Sequence, residues 1–117
     1  MNETAATILL ADDEPAIRSL MEAALAAEGY HVLAAKNGYE ALDVFDRRGA
    51  DIDLVITDMC MPYIGGTELI AALQARSASL KCLCITGYTI DPDWGLPVLQ
   101  KPFSRTELLQ TVQAVLS

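Results

Sequence analysis

Short apolar runs alternate with amphipathic stretches along this chain. Thr7–Ala11 (TILLA) is apolar after its threonine and stops abruptly at Asp12-Asp13-Glu14-Pro15. Runs of this length and uniformity predict strands buried on both faces. Pro15 suits the first turn of a helix, because its missing N–H would have had no partner there. Ile17, Leu20, Met21, Ala24 and Leu25 then recur at three- and four-residue steps, and Gly29 stops the helix they mark. Tyr30–Ala35 reads as a second strand. Asn37, followed three residues on by Glu40, is a capping signal for a second helix through Ala41, Leu42 and Phe45 to Gly49. Leu54–Thr57 (LVIT) is a third strand ending at Asp58, and a loop, Met59–Gly66, leads to a helix carrying Leu69, Ile70 and Leu73. Lys81–Thr86 (KCLCIT) is the fourth strand and Val98–Gln100 a short fifth before Lys101-Pro102. Ser104 with Glu107 forms a capping box for a last helix striped by Leu108, Leu109, Val112, Val115 and Leu116.

Strands alternating with helices are βαβ units, so the pattern predicts an α/β domain with a doubly wound, five-stranded parallel sheet. One element of the rhythm is missing. Between the fourth and fifth strands lie eleven residues, Gly87–Pro97 (GYTIDPDWGLP), which hold Gly87, Pro92, Gly95 and Pro97. An average helix with two connections does not fit there, and these residues punctuate helices. The expectation is a loop with at most one helical turn.

Composition narrows the function. A chain of 117 residues, 52% hydrophobic, suits one domain over residues 1–117. Eight Lys and Arg against sixteen Asp and Glu leave a net charge of −8, which excludes a basic surface for nucleic acid. No apolar run approaches the roughly 20 residues of a membrane span, and the segment behind Met1 has neither a basic start nor a signal-like apolar run. The three cysteines, Cys60, Cys82 and Cys84, have no framework spacing; they predict buried thiols in a reducing, cytoplasmic setting rather than a zinc site. His31 reads as a packed or surface residue of the second strand.

In open parallel sheets, chemistry gathers beyond the carboxyl ends of the strands. Asp12 and Asp13 stand there after the first strand, Asp58 after the third, Thr86 after the fourth and Lys101 after the fifth. With strand order 2-1-3-4-5 the first and third strands are neighbours, so Asp12, Asp13 and Asp58 come within a few ångströms of one another. Carboxylates that close repel unless a cation intervenes, and Mg²⁺ is the usual partner in phosphate chemistry. A carboxylate nucleophile, a metal, a lysine and a hydroxyl make a site for a phosphoryl group. Each residue also has an ordinary reading: Asp12 or Asp13 as a helix cap, Asp58 as a turn residue, Thr86 as a strand residue, Lys101 as a surface lysine. Their joint placement at successive strand ends favours the site.

The motifs ILLADDEPAIR (Ile8–Arg18), LVITDMCMPYIGG (Leu54–Gly66), CITG (Cys84–Gly87) and QKPFS (Gln100–Ser104) together resemble the receiver domain of two-component response regulators. The resemblance runs from Ile8 to Leu116. It implies the flavodoxin-like, CheY-like fold with order 2-1-3-4-5, and Asp58 as phosphoacceptor in a phosphorelay, taking the group from a histidine kinase or phosphotransfer protein. It implies direct Mg²⁺ ligation by Asp13 and Asp58, help from Asp12 through water, and the backbone carbonyl of Cys60 in the shell. Lys101 would pair with the phosphoryl group, Thr86 would hydrogen-bond it, and Lys101–Pro102 would be a cis bond. Such a domain catalyses only its own phosphorylation and autodephosphorylation and switches partner binding.

Two departures stand out. The aromatic residue that the family usually places three positions before the lysine is Val98 here, and Tyr88 or Trp94 are the candidate substitutes, with Tyr88 in the place that gates access to the phosphate. The short Gly87–Pro97 segment matches the subgroup of receivers whose fourth helix is replaced by a loop. The expectation is a single-domain response regulator, with a receiver excised from a larger regulator or hybrid kinase as the alternative. A small Asp-nucleophile phosphatase would want a second Asp where Cys60 stands, and an FMN-binding flavodoxin would want a Ser/Thr/Gly-rich loop where DDEP stands.

Overall fold

The computed structural model of the protein describes residues 6–87 and 95–117. In chain order these form β1 (Thr7–Ala11), α1 (Pro15–Ala27), β2 (His31–Ala35), α2 (Gly38–Arg48), a 3₁₀ turn (Gly49–Asp51), β3 (Leu54–Asp58), α3 (Gly66–Arg76), β4 (Lys81–Thr86), β5 (Val98–Gln100) and α4 (Arg105–Leu116). The strands make one parallel sheet in the order β2-β1-β3-β4-β5. Tyr30 falls just outside β2 and Asp58 just inside β3; the other strand boundaries lie where the apolar runs end. The expectation of a loop or single turn in place of a further helix falls mostly on residues 88–94, outside the described residues. Gly87, Gly95 and Pro97 at its margins are not helical.

Side-chain alternation in the strands builds two cores. Leu9, Val55, Cys82 and Cys84 point to the side covered by α2 and α3, where Phe45, Leu69 and Leu73 are buried with them. Ile8, Leu10, Leu54, Ile56, Leu83 and Ile85 point to the other side, against Met21 and Leu25 of α1 and Leu108 and Val112 of α4. Both faces are covered, which is why every residue of β3 is buried and why the strands read as continuous apolar runs. Burial raises the Cys82 thiol to about 11 and the Cys84 thiol to about 12, so both stay protonated and pack as small hydrophobes. Cys60 departs from the expected burial: it lies beyond the end of β3 and is exposed.

The predicted caps form. Asn37 Oδ1 accepts the Glu40 N–H (2.8 Å) while Glu40 Oε1 accepts the Lys36 N–H (2.8 Å). Ser104 Oγ accepts the Glu107 N–H (3.0 Å), and Glu107 Oε1 accepts the Ser104 N–H (2.8 Å). Gly29 ends α1 with φ of 96°, a conformation that favours glycine.

The start of α3 is pressed against the strand end that carries Asp58. The Gly66 N–H donates to the Met59 carbonyl (3.0 Å), and a methyl group at Gly66 would lie 2.5 Å from the Asp58 carbonyl oxygen and 2.8 Å from Met59 Cα. Gly66→Ala must therefore push backbone against backbone. The expected cost is about 1–3 kcal/mol, read as a lower urea midpoint at unchanged m value. A midpoint equal to that of the parent would show that the contact relaxes freely.

Candidate functional site

Parallel register sets the strand ends level with one another. Ala11 pairs with Thr57, Asp58 with Ile85 and Thr86 with Gln100, so Asp12, Asp58, Thr86 and Lys101 all emerge at one rim of the sheet. Asp12 (0% exposed), Asp58 (6%) and Thr86 (1%) are buried there, and Lys101 is partly buried. Backbone bonds brace the rim: Met59 N–H donates to the Ile85 carbonyl (2.9 Å) and Lys101 N–H to the Thr86 carbonyl (2.7 Å). The Lys101–Pro102 bond is cis, as the resemblance implies.

An open cavity of about 430 Å³ lies over the rim, lined by Asp13, Glu14, Asp58, Cys60, Gly87 and Lys101. On its floor, Asp58 Oδ1 accepts the Cys60 N–H at 3.4 Å and Asp58 Oδ2 faces Lys101 Nζ at 3.4 Å. Lys101 Nζ is also 3.1 Å from Glu14 Oε1. Asp12 Oδ1 accepts the Glu14 N–H at 2.9 Å, so this carboxylate does hold the turn into α1, although the helix has no side-chain cap. The Arg18 guanidinium donates to the Asp12 carbonyl at 2.8 Å, fastening that turn from the other side.

The sequence places Asp12, Asp13 and Asp58 together. The carboxylate oxygens that lie within 4.8 Å of one another belong to Asp12, Glu14 and Asp58, with Asp13 on the cavity wall. Glu14 is the residue that sequence reasoning passed over. The signal was available: Glu14 is the last acidic residue before Pro15, and the N-cap position of α1 turns it back over the strand end. Tyr88 and Trp94 lie outside the described residues. Val98 is half-buried, pairs with Cys84 and packs against the α2–α3 core.

The electrostatics of the rim are unbalanced toward negative charge. Burial raises the Asp12 carboxyl above the ordinary value of 3.8, the Glu14 N–H bond opposes this, and the neighbouring Asp58 charge adds to the rise. Burial by itself would lower the Lys101 ammonium, but Glu14, Asp58 and Asp12 outweigh it and the net direction is upward. Asp12 Oδ2 is buried without a hydrogen-bond partner among the described residues. An orphaned buried carboxylate oxygen beside further carboxylates is a donor set that fits a hard divalent cation such as Mg²⁺.

Comparison with known proteins agrees with this geometry. Residues 8–113 match the profile of the response regulator receiver domain. The sensor kinase CckA of Brucella abortus is 35% identical over 118 residues, which is 95% of this chain and 12% of CckA. The transcriptional regulatory protein CpxR of Escherichia coli K12 is 35% identical over 115 residues, 93% of this chain and 48% of CpxR. This chain thus spans half or less of these relatives. The crystal structure of the receiver domain of the hybrid histidine kinase CckA superposes with a TM-score of 0.86 at 34% identity, covering 96% of this chain and 100% of that one.

The raised Asp12 carboxyl has a consequence for pH. Stability contributed by a group whose folded value is raised is fully present below 3.8 and lost as pH rises through the folded value. Asp12→Asn keeps the acceptor for Glu14 N–H and removes the charge. Without divalent cation it should melt above the parent at about pH 7, with the gap narrowing as pH falls toward 3.8. Calorimetry across this range checks it; a gap independent of pH would remove the buried charge as its source.

Proposed function

The chain belongs to the response regulator receiver domain family, and from that membership we propose that Asp58 is its phosphoacceptor, charged by the phosphohistidine of a histidine kinase or phosphotransfer protein. The observation that carries the reading is the pairing of a buried carboxylate, Asp58, with Lys101 Nζ at 3.4 Å on the floor of an open cavity. A carboxylate so placed is oriented for attack: Cys60 N–H holds Oδ1, and Lys101 holds Oδ2. Attack by Asp58 on the phosphohistidine forms the aspartyl O–P bond as the N–P bond breaks, and the imidazole leaves with the electron pair.

Asp13 and Asp58 with the Cys60 backbone carbonyl would hold Mg²⁺ directly, and Asp12 would do so through water. When bound, the ion neutralises charge on the transferred oxygens and on the carboxylates. Lys101 stabilises the negative charge of the product. Thr86, buried at the end of β4 one residue before Gly87 on the cavity wall, would hydrogen-bond the new group; its burial at that strand end supports this reading. The phosphoryl group, carrying about −1.5 to −2 in place of the carboxylate's single charge, shifts the populations of two states of that surface.

Val98 bears on how that shift is reported. A half-buried valine has no aromatic ring to rotate inward, so a ring at position 98 does not carry the report in this chain. The rival reading as an Asp-nucleophile phosphatase wants a second carboxylate at position 60, where Cys60 offers its backbone N–H to Asp58 instead.

Incubation with acetyl phosphate and Mg²⁺ followed by Phos-tag electrophoresis tests the assignment. The parent chain should give a retarded band, and Asp58→Asn should give none. Thr86→Ala should still be retarded while losing most of the amide shifts around Gly87 that phosphorylation induces in the parent. An unretarded parent, or a retarded Asp58→Asn, overturns the assignment.

A further inference from the structure

Lys101 has two acidic partners, and the shorter contact is to Glu14 at 3.1 Å rather than to Asp58 at 3.4 Å. Both arms of the Glu14–Lys101 bridge spring from fixed backbone. Glu14 N–H is held by Asp12 Oδ1 (2.9 Å), its carbonyl by the Arg18 N–H (2.9 Å), and Pro15 restricts the next φ. Lys101 N–H is held by the Thr86 carbonyl. The bridge therefore ties the start of α1 to the end of β5 across the mouth of the cavity.

An ammonium group has three N–H donors, so Lys101 can serve both carboxylates at once. A phosphoryl group on Asp58 ends that balance. It replaces the single charge of the carboxylate with a group carrying about two, and brings strong acceptor oxygens to a place where Glu14 already stands close to Asp58. Glu14 then does two things against the phosphorylated state: it pulls on the same ammonium group, and it faces the new group as a like charge.

We propose that Glu14 is a positioning residue that holds Lys101 in the unphosphorylated site and competes with the phosphoryl group for it, so that it lowers occupancy of the phosphorylated state. The inference rests on Asp58 as phosphoacceptor. Its size is bounded by exposure: the Glu14 side chain is 58% exposed and that of Lys101 22%. Such pairs are screened by salt, and the expected effect is about two- to fivefold.

The experiment is a titration with beryllofluoride, a phosphoryl mimic, at saturating Mg²⁺, followed through the amide signals of Asp58, Cys60 and Gly87. Glu14→Gln should bind the mimic about two- to fivefold more tightly than the parent at low ionic strength, and the gap should close at high salt. Glu28→Gln removes an exposed charge elsewhere and should match the parent. Part of the gain should vanish in a Lys101→Met background, which isolates the competition for the ammonium group. In the metal-free protein the ¹⁵Nζ signal of Lys101 should move in Glu14→Gln and stay in place in Glu28→Gln. Equal or weaker binding by Glu14→Gln, or an undisturbed Lys101 signal, overturns the competition. Failure of the parent to take up the mimic at all overturns the phosphoacceptor assignment and the inference with it.

Discussion

Among the described residues, four acidic side chains and one ammonium group meet at the rim of this sheet, and two of the carboxylates are buried. Charges taken out of water are costly unless paired, and here the pairing is incomplete: Asp12 Oδ2 has no donor among the described residues. The rest of the rim is arranged around that shortfall. Lys101 is held over Asp58 and Glu14, Cys60 N–H is turned toward Asp58, and Gly66 lets α3 close on the strand end from behind. A rim with this excess of buried and half-buried carboxylate has affinity for positive charge.

The fold supplies this arrangement cheaply. Parallel strands of similar length end at one level, and their two covered faces exclude water up to the last residue. Chain polarity then delivers each residue that follows a strand to the same rim. The same scaffold explains why membership in the family says little about output. Similar receivers occur in a sensor kinase and in a transcriptional regulatory protein, so the fold does not by itself name an output.

The α1 turn is built into the rim. Asp12 is at once a rim carboxylate and the acceptor that fixes the Glu14 N–H, and Glu14 in turn pairs with Lys101. Arg18 contributes from one helical turn further on by clamping the Asp12 carbonyl.

Much of this was legible in the chain itself. Apolar runs marked the strands, three- and four-residue steps marked α1 and α4, and Asn37–Glu40 and Ser104–Glu107 marked helix starts, because these signals are local and each acts within a turn or a strand. The strand-end positions of Asp12, Asp58, Thr86 and Lys101 were legible for the same reason. What the sequence could not contain was the distance between side chains from different elements. That Glu14 joins Asp12 and Asp58 within 4.8 Å, that Lys101 is shared between two carboxylates, that Cys60 is exposed while Cys82 and Cys84 are not, and that Gly66 has no room for a methyl group all depend on how α1 and α3 seat against the sheet. Those are packing outcomes summed over many long-range contacts, so only the folded structure decided them.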